Sequence, residues 1–203
     1  MIRTLKEWFL WLVTPIQKLL QRSGEIEAWI EEADAIKIES IVREGDIILS
    51  YIQGRPTSGL IIGEWDHASI VSDKMTIVEA VGDLFKDGKN IGGVREQSLR
   101  EFIFKKDDIC IVRPVYDVGP IVNRNAASTA PFYLGYSYDY RFKSGEEEIY
   151  CSELVYLCYR AYDKDFLSWI DGEILPTLYY DLCFKNHADS KCKFELVYDS
   201  NKR

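Results

Sequence analysis

The chain has 203 residues, 47% of them hydrophobic and 13% aromatic, which is ample apolar material for a self-sufficient core. Its formal net charge is −8, and no Lys/Arg-rich run or basic stripe interleaved with aromatics occurs, so the phosphate-neutralising surface that nucleic acids demand is missing. Five cysteines (Cys110, Cys151, Cys158, Cys183, Cys192) cannot all pair within one chain and show no CxxC spacing, and the two histidines, His67 and His187, lie far apart, so neither a disulfide framework nor a clustered zinc site is indicated.

The first segment, "MIRTLKEWFLWLVTPIQKLLQR", looks like a signal peptide until Glu7 interrupts it and Pro15 and Gln17 end it. Its apolar run from Trp8 to Val13 is too short to span a bilayer and no small-residue cleavage pattern follows, so the segment is expected to be retained. Ile2, Leu5, Phe9, Leu12, Ile16 and Leu19 fall at helical spacing, an amphipathic pattern that suits a membrane surface, the chain's own domain or a second copy. A second helix is predicted after Ser23, with Ile26, Trp29, Ile30 and Ala33 on its apolar face and Glu25, Glu27, Glu31 and Glu32 on the solvated one.

"REGDIILSYI" reads as a turn into a strand, and the Gly- and Pro-bearing "QGRPTSGLIIG" as a loop. "HASIVSDKMTIVEAVG" reads as a hairpin turning at Ser72-Asp73-Lys74, with His67 at its start and Glu79 near its end. "GGVREQSL" suggests another strand, Ser98 an N-cap, "LREFIF" a short helix and "DICIVRP" a buried strand closed by Pro114. The stretch from Asn123 to Phe132 is predicted helical. The clearest helix is "YCSELVYLCYRAY", where Cys151, Leu154, Val155, Cys158 and Tyr162 share a face, and "KFELVYD" closes the chain as a strand. Strands, small helix, strand, helices, strand is an α+β order with an antiparallel sheet.

A thiol attacks as thiolate, so a nucleophilic cysteine needs its pKa lowered from about 8.5 toward neutrality. Cys151 opens a helix, where free N–H groups and the macrodipole favour negative charge, and a neighbouring imidazole would complete the activation. The acidic run Glu146, Glu147 and Glu148 would oppose it if close. Cys158 lies inside the helix and reads as core. His187, in the polar "FKNHADSK", reads as a solvated loop residue, which leaves His67 as the base and Glu79 as the partner of its second nitrogen. Because strand side chains alternate, the two share a face only if the hairpin loop is odd-numbered or carries a bulge. On residues alone, a buried cysteine, a strand-end histidine and a surface glutamate remain the ordinary alternative.

The ordered set "GDIILS", "WDHASIV", "IVEAVG", "SLREFI", "IVRP", "GYSYDYRF" and "YCSELVY" resembles the permuted papain-like amidases of the NlpC superfamily, YiiX/YaeF type, over roughly residues 44 to 160. The resemblance implies a circularly permuted papain-like fold, an antiparallel sheet packed against helices, with Cys151 as nucleophile, His67 as base and Glu79 as orienting acid. It implies Tyr138 as an oxyanion-site residue, with a backbone N–H of Cys151 or Ser152 as a second donor. Two departures stand out: the amphipathic leader occupies the place of an export signal, and the region after Tyr162 matches only loosely.

The expectation is therefore a helical appendage over 1–40 and a cysteine hydrolase domain over 41–203, cleaving an amide or peptide bond through a Cys-His-Glu triad and an acyl-enzyme. No metal or organic cofactor is implied. The substrate is expected to be a small peptide, an N-acyl amide or a lipid, and residues 1–22 would carry a peripheral membrane contact or a homo-oligomer. The expected compartment is cytoplasmic, with membrane association as its variant. The alternatives are a lipid acyl hydrolase or acyltransferase at a membrane surface, and a non-catalytic ligand-binding module of the same fold.

Overall fold

Two strands at the centre of a sheet, buried on both faces, need continuous apolar runs, whereas strands nearer the edge can alternate. The computed structural model describes residues 30–52, 63–82, 85–86, 89–90, 92–142, 147–168, 170, 172–185 and 192–201. In chain order its elements are α1 (Glu32–Ile41), β1 (Ile47–Tyr51), β2 (His67–Asp73), β3 (Thr76–Val81), β4 (Phe85–Lys86), β5 (Lys89–Asn90), β6 (Gly93–Ser98), α2 (Leu99–Ile103), β7 (Asp108–Tyr116), α3 (Ile121–Thr129), α4 (Cys151–Arg160), α5 (Pro176–Asp181) and β8 (Cys192–Asp199), with a 3-10 turn at Ala130–Tyr133. Six strands form one sheet in the order β6-β3-β2-β1-β7-β8, every neighbour antiparallel, and β4 pairs with β5 apart from it. The "IIL" of β1, at its centre, and the "ICIV" of β7, between β1 and the edge strand β8, are continuous runs in strands covered on both faces.

Helices cover both faces. Ile47, Leu49, Ala68, Ile70, Val78 and Ala80 pack with Leu154, Val155 and Cys158 of α4 and Tyr179 of α5. On the other face Ile48, Val71, Ile77 and Ile111 meet Ala35 and Ile38 of α1 and Leu99, Phe102 and Ile103 of α2. Each fully buried Val, Leu, Ile or Phe side chain among these stabilises the fold by about 1.5–3 kcal/mol relative to exposure.

The helix α1 is joined to the sheet by charge as well. Arg113 of β7 donates from Nε to Asp46 Oδ1 and from Nη2 to Asp46 Oδ2, each at 2.7 Å, and from Nη2 to the carbonyl of Ile41 at 3.0 Å. The neighbouring Gly45 has φ +83°, and a Cβ there would fall 2.5 Å from the Asn123 carbonyl oxygen, so both the turn and the close approach require glycine.

Several expectations are corrected. The helix near residue 30 begins at Glu32 and buries Ala35 and Ile38, while Ala33 is exposed. The leader 1–22, and the part of the predicted second helix before Ile30, lie outside the described residues, as do the loop at 53–62 and His187. The hairpin turns at Lys74-Met75. Ser98 stands at the N-cap of α2 without a capping side-chain hydrogen bond. The strand β7 runs two residues past Pro114; β1 pairs with it only as far as Val112, so proline falls where β7 is bonded on one side only. Tyr162 lies beyond the end of α4 and is exposed. No helix among the described residues is long and apolar enough to cross a membrane.

Candidate active site

The hairpin β2–β3 sets the site. Asp73 pairs with Thr76 across the two-residue turn, but Val71, Ile70 and Ser69 pair with Ile77, Val78 and Glu79, the register shifting by one residue at a bulge between Val71 and Asp73. Without that shift Glu79 would stand opposite Ile70, on the other face from His67. With it, Glu79 stands opposite Ser69 and shares the face of His67, one diagonal step away. The bulge, one of the two devices the sequence allowed, is the one used.

His67 Nε2 and Glu79 Oε2 are 2.8 Å apart, and both side chains are buried, Glu79 at 1% exposure. The imidazole and the side chain of Cys151, the first residue of α4 and 2% exposed, are close enough for each to act on the other's ionisation. With Nε2 committed to the carboxylate, Nδ1 is the nitrogen left to face the thiol.

The helix α4 opens with Tyr150 at its N-cap, in a capping box with Glu153, whose Oε2 accepts from the Tyr150 N–H at 3.5 Å. Burial works against the Cys151 thiolate, but the hydrogen bond and charge of His67 and the backbone N–H groups of Ala68 and Ser152 outweigh it, and the thiol lies below its usual range. For His67, burial opposes protonation, and the hydrogen bonds with Cys151 and Glu79 overcome that penalty and the charge of Lys106, so its pKa is raised. Burial likewise opposes ionisation of Glu79, yet His67, Lys106 and Arg95 hold its carboxyl far below the ordinary range. A raised imidazole beside a lowered thiol is an arrangement that favours passage of the thiol proton to the ring.

Tyr138 is half-buried, its ring edge-on to Tyr140 at 5.0 Å. Burial first and the proximity of Cys151 second push its phenol well above the ordinary value, which keeps it a neutral O–H donor. Glu147 and Glu148 of the acidic run are exposed, and neither is among the groups acting on the thiol.

Two sets of residues escaped the sequence reading. Arg95 and Gln97 of β6 reach Glu79 Oε1, the arginine from Nε at 3.0 Å and Nη2 at 2.7 Å and the glutamine from Nε2. The alternation in "VREQS" puts both on one face, but only the pairing of Glu79 with Arg95 and of Ile77 with Gln97 aims them at the carboxylate. The second set follows Tyr162. Ser152 Oγ donates to the Ile174 carbonyl at 2.6 Å, the Ile174 N–H donates to Tyr150 Oη at 3.2 Å, and Tyr179 Oη donates to the Ser152 carbonyl at 2.9 Å. Thr177 Oγ1 accepts from the Trp65 N–H at 3.2 Å and donates to the Trp65 carbonyl at 3.3 Å. The segment from Ile174 to Tyr179 thus touches the residues flanking Cys151 and the strand that begins at His67. Among the described residues no three His, Cys, Asp or Glu side chains gather where they could hold a metal ion.

The model of a family described as permuted papain-like amidase enzyme, YaeF/YiiX, C92 family, matches residues 41–167. Among solved structures, the crystal structure of metalloprotein yiiX from Escherichia coli O157:H7 is 25% identical with a TM-score of 0.46, and the match covers 60% of this chain and 66% of that one. The chain therefore spans just under two thirds of that structure's length. No curated protein matches the chain. His67, Glu79, Tyr138 and Cys151 all fall within the matched residues, whereas Ile174, Thr177 and Tyr179 lie beyond them.

Proposed function

We propose, for a chain that belongs to the permuted papain-like amidases of the C92 family and so to the cysteine amidase and peptidase-type hydrolases, that Cys151, His67 and Glu79 act as a triad cleaving an amide or peptide bond through an acyl-enzyme. The observation that carries this reading is a single imidazole placed between a buried, ionised glutamate and a thiol at the first residue of a helix.

In the reaction the Cys151 sulfur attacks the carbonyl carbon and the C=O electron pair moves to oxygen. Tyr138 Oη and a backbone N–H of Cys151 or Ser152 receive that oxyanion. When the pair returns, the C–N bond breaks and the leaving amine takes the proton held on His67. A thioester on Cys151 remains. Water then attacks it, giving its proton to His67, and the sulfur leaves as thiolate while the carboxylic acid departs. Glu79 keeps the ring oriented and stabilises the imidazolium in both halves. Small peptides and N-acyl amides are the proposed substrates.

The test is intact-mass analysis of the protein with amide and activated-ester libraries. A mass increase equal to the acyl group on Cys151, absent in Cys151→Ala and much slower to form in His67→Ala where the thiol is not activated, is the expected result. Acylation elsewhere, or turnover undiminished in Cys151→Ala, would remove the assignment.

A further inference from the structure

An ionised carboxylate is an acceptor only, and its two oxygens need not do the same work. In Glu79 they are divided. Oε2 faces His67 Nε2 alone at 2.8 Å, while Oε1 takes both Arg95 donors and the Gln97 amide. We propose that Arg95 and Gln97 are positioning residues that act through Glu79: by saturating Oε1 they hold the carboxylate ionised and turned so that Oε2 meets Nε2, which fixes the proton of the neutral ring on Nε2 and leaves the Nδ1 lone pair for the thiol. This inference rests on the triad reading above.

The residue paired with Glu79 across β3 and β6 is Arg95, and Gln97 sits diagonally from it on the same face, so three donors converge from one strand on one oxygen. The carboxylate can neither rotate nor accept a proton on Oε1 without giving up hydrogen bonds from Arg95 and Gln97 to a buried oxygen, at a cost that disfavours both. A protonated Glu79 could present a donor to the ring, and the other tautomer, with its proton on Nδ1, could not receive the thiol proton. The charged and titratable groups facing the pair are Arg95 from β6, Lys106 from the turn after α2 and Cys151 from α4, with the Phe102 ring of α2 beside the imidazole at 6.2 Å. The Lys106 charge favours the carboxylate but opposes the imidazolium, so it does not set the tautomer. Were Arg95 and Gln97 merely neutralising a buried charge, their loss would lower stability and leave the ring's tautomer unchanged.

The chain has only two histidines, so their side-chain nitrogens can be followed individually in the full-length protein, with His187 as internal control. In a Cys151→Ala parent labelled with 15N-histidine, long-range proton–nitrogen spectra above the ring's pKa are expected to show His67 as the Nε2–H tautomer. Adding Gln97→Met, which changes no formal charge, is expected to give a mixture of tautomers with His187 unchanged. In the protein retaining Cys151, Gln97→Met should lower the iodoacetamide rate at about pH 6 relative to about pH 9 by about tenfold, a fraction of the roughly 10⁴-fold loss that follows a fully wrong tautomer. Arg95→Lys keeps the charge on a partly exposed side chain but loses the planar fork, so it gives the same reading without depending on how Gln97→Met folds.

An Nδ1–H ring in the parent, or a single Nε2–H tautomer together with an unchanged rate ratio in both variants, overturns the positioning role. A Cys151 that alkylates no faster than the buried cysteines in the unmodified protein overturns the triad reading instead.

Discussion

His67 and Glu79 meet at 2.8 Å because one extra residue in β2 shifts the pairing of the hairpin, while β6, in unbroken register with β3, brings Arg95 and Gln97 to the far oxygen of the carboxylate. A buried glutamate would ordinarily resist ionisation; here its surroundings depress the carboxyl instead.

Glu79→Gln follows directly from that relationship. The folded carboxyl sits below its ordinary value of 4.5, so the stability it contributes is fully present above 4.5 and is lost as pH falls from there through the depressed folded value. Glutamine does not titrate. The variant is expected to be less stable than the parent by on the order of 2–3 kcal/mol near neutrality, with the gap narrowing steadily in acid. Thermal melts from about pH 7 to about pH 3 check this. A gap that widens in acid would reverse the sign of the argument. The same variant should slow Cys151 alkylation near neutral pH, since the imidazolium loses its partner.

The five cysteines should separate sharply under brief iodoacetamide treatment. Cys151 has a lowered thiol pKa, whereas burial pushes that of Cys158, seven residues along the same helix, far up. Cys110 and Cys192 are buried and Cys183 is half-buried. Peptide mapping is expected to find Cys151 carrying most of the early label near neutrality, Cys183 next and Cys158 only after unfolding. The selectivity should disappear in His67→Ala, because the imidazole is the largest of the influences that lower the Cys151 pKa. Early labelling of Cys158 would contradict the burial that the argument uses.

The strands were legible because their patterns answer to burial: "IIL" and "ICIV" are continuous where both faces are covered, and the hairpin announced itself through a polar turn between apolar runs. Cys151 was legible as a helix start, and His67 and Glu79 as a pair only through parity, which the residues left open until the bulge settled it. Arg95 and Gln97 were not legible, since alternating polar residues in "VREQS" read as a solvated face and only register reveals that they converge on a buried oxygen. Ala33 was misplaced because Ile30 is buried just ahead of the helix, so the apolar spacing that linked them did not belong to one helical face. Tyr162 failed for a similar reason, α4 ending at Arg160 before the spacing reached it. The stretch after Tyr162 has little periodicity, and its bonds to Trp65, Tyr150 and Ser152 join residues about a hundred or a few tens apart in the chain, which no local pattern encodes.

The Asp46–Arg113 pair offers a test of the scaffold rather than the site. Asp46 is fully buried, and that burial raises its carboxyl despite the two-pronged hydrogen bond from Arg113. Arg113→Met keeps the stem but leaves the buried carboxylate without its arginine fork, with the Arg43 N–H still donating to Oδ2 at 2.8 Å, and is expected to cost about 3 kcal/mol. Because an unpaired buried carboxylate takes up a proton more readily, the loss should be smaller in mild acid than at neutral pH. Chemical denaturation at the two pH values measures it. Adding Asp46→Asn to the variant should recover part of the neutral-pH loss, and no recovery would mean that Arg113 acts through its bond to the Ile41 carbonyl or through packing.

The brace from Ile174 to Tyr179 is expected to matter for activity more than its size suggests. Thr177 holds the backbone of Trp65, two residues before His67, and Tyr179 holds the carbonyl of Ser152, one residue after Cys151, so a single short segment spans the base's strand and the nucleophile's helix. Thr177→Val keeps the shape and removes both Trp65 hydrogen bonds; Tyr179→Phe removes one hydroxyl from a fully buried ring. Each is expected to destabilise by about 1–2 kcal/mol. If the brace sets the distance between thiol and imidazole, each should also lower kcat by about ten- to a hundredfold while KM changes little, since small misplacements in a reacting pair carry penalties of that size. Combining the two should give less than the product of the single losses, because both report on one gap. Kinetics on an amide substrate together with melting curves separate the cases: losses of stability with kcat intact would make the segment a wall of the fold that does not set the site's geometry.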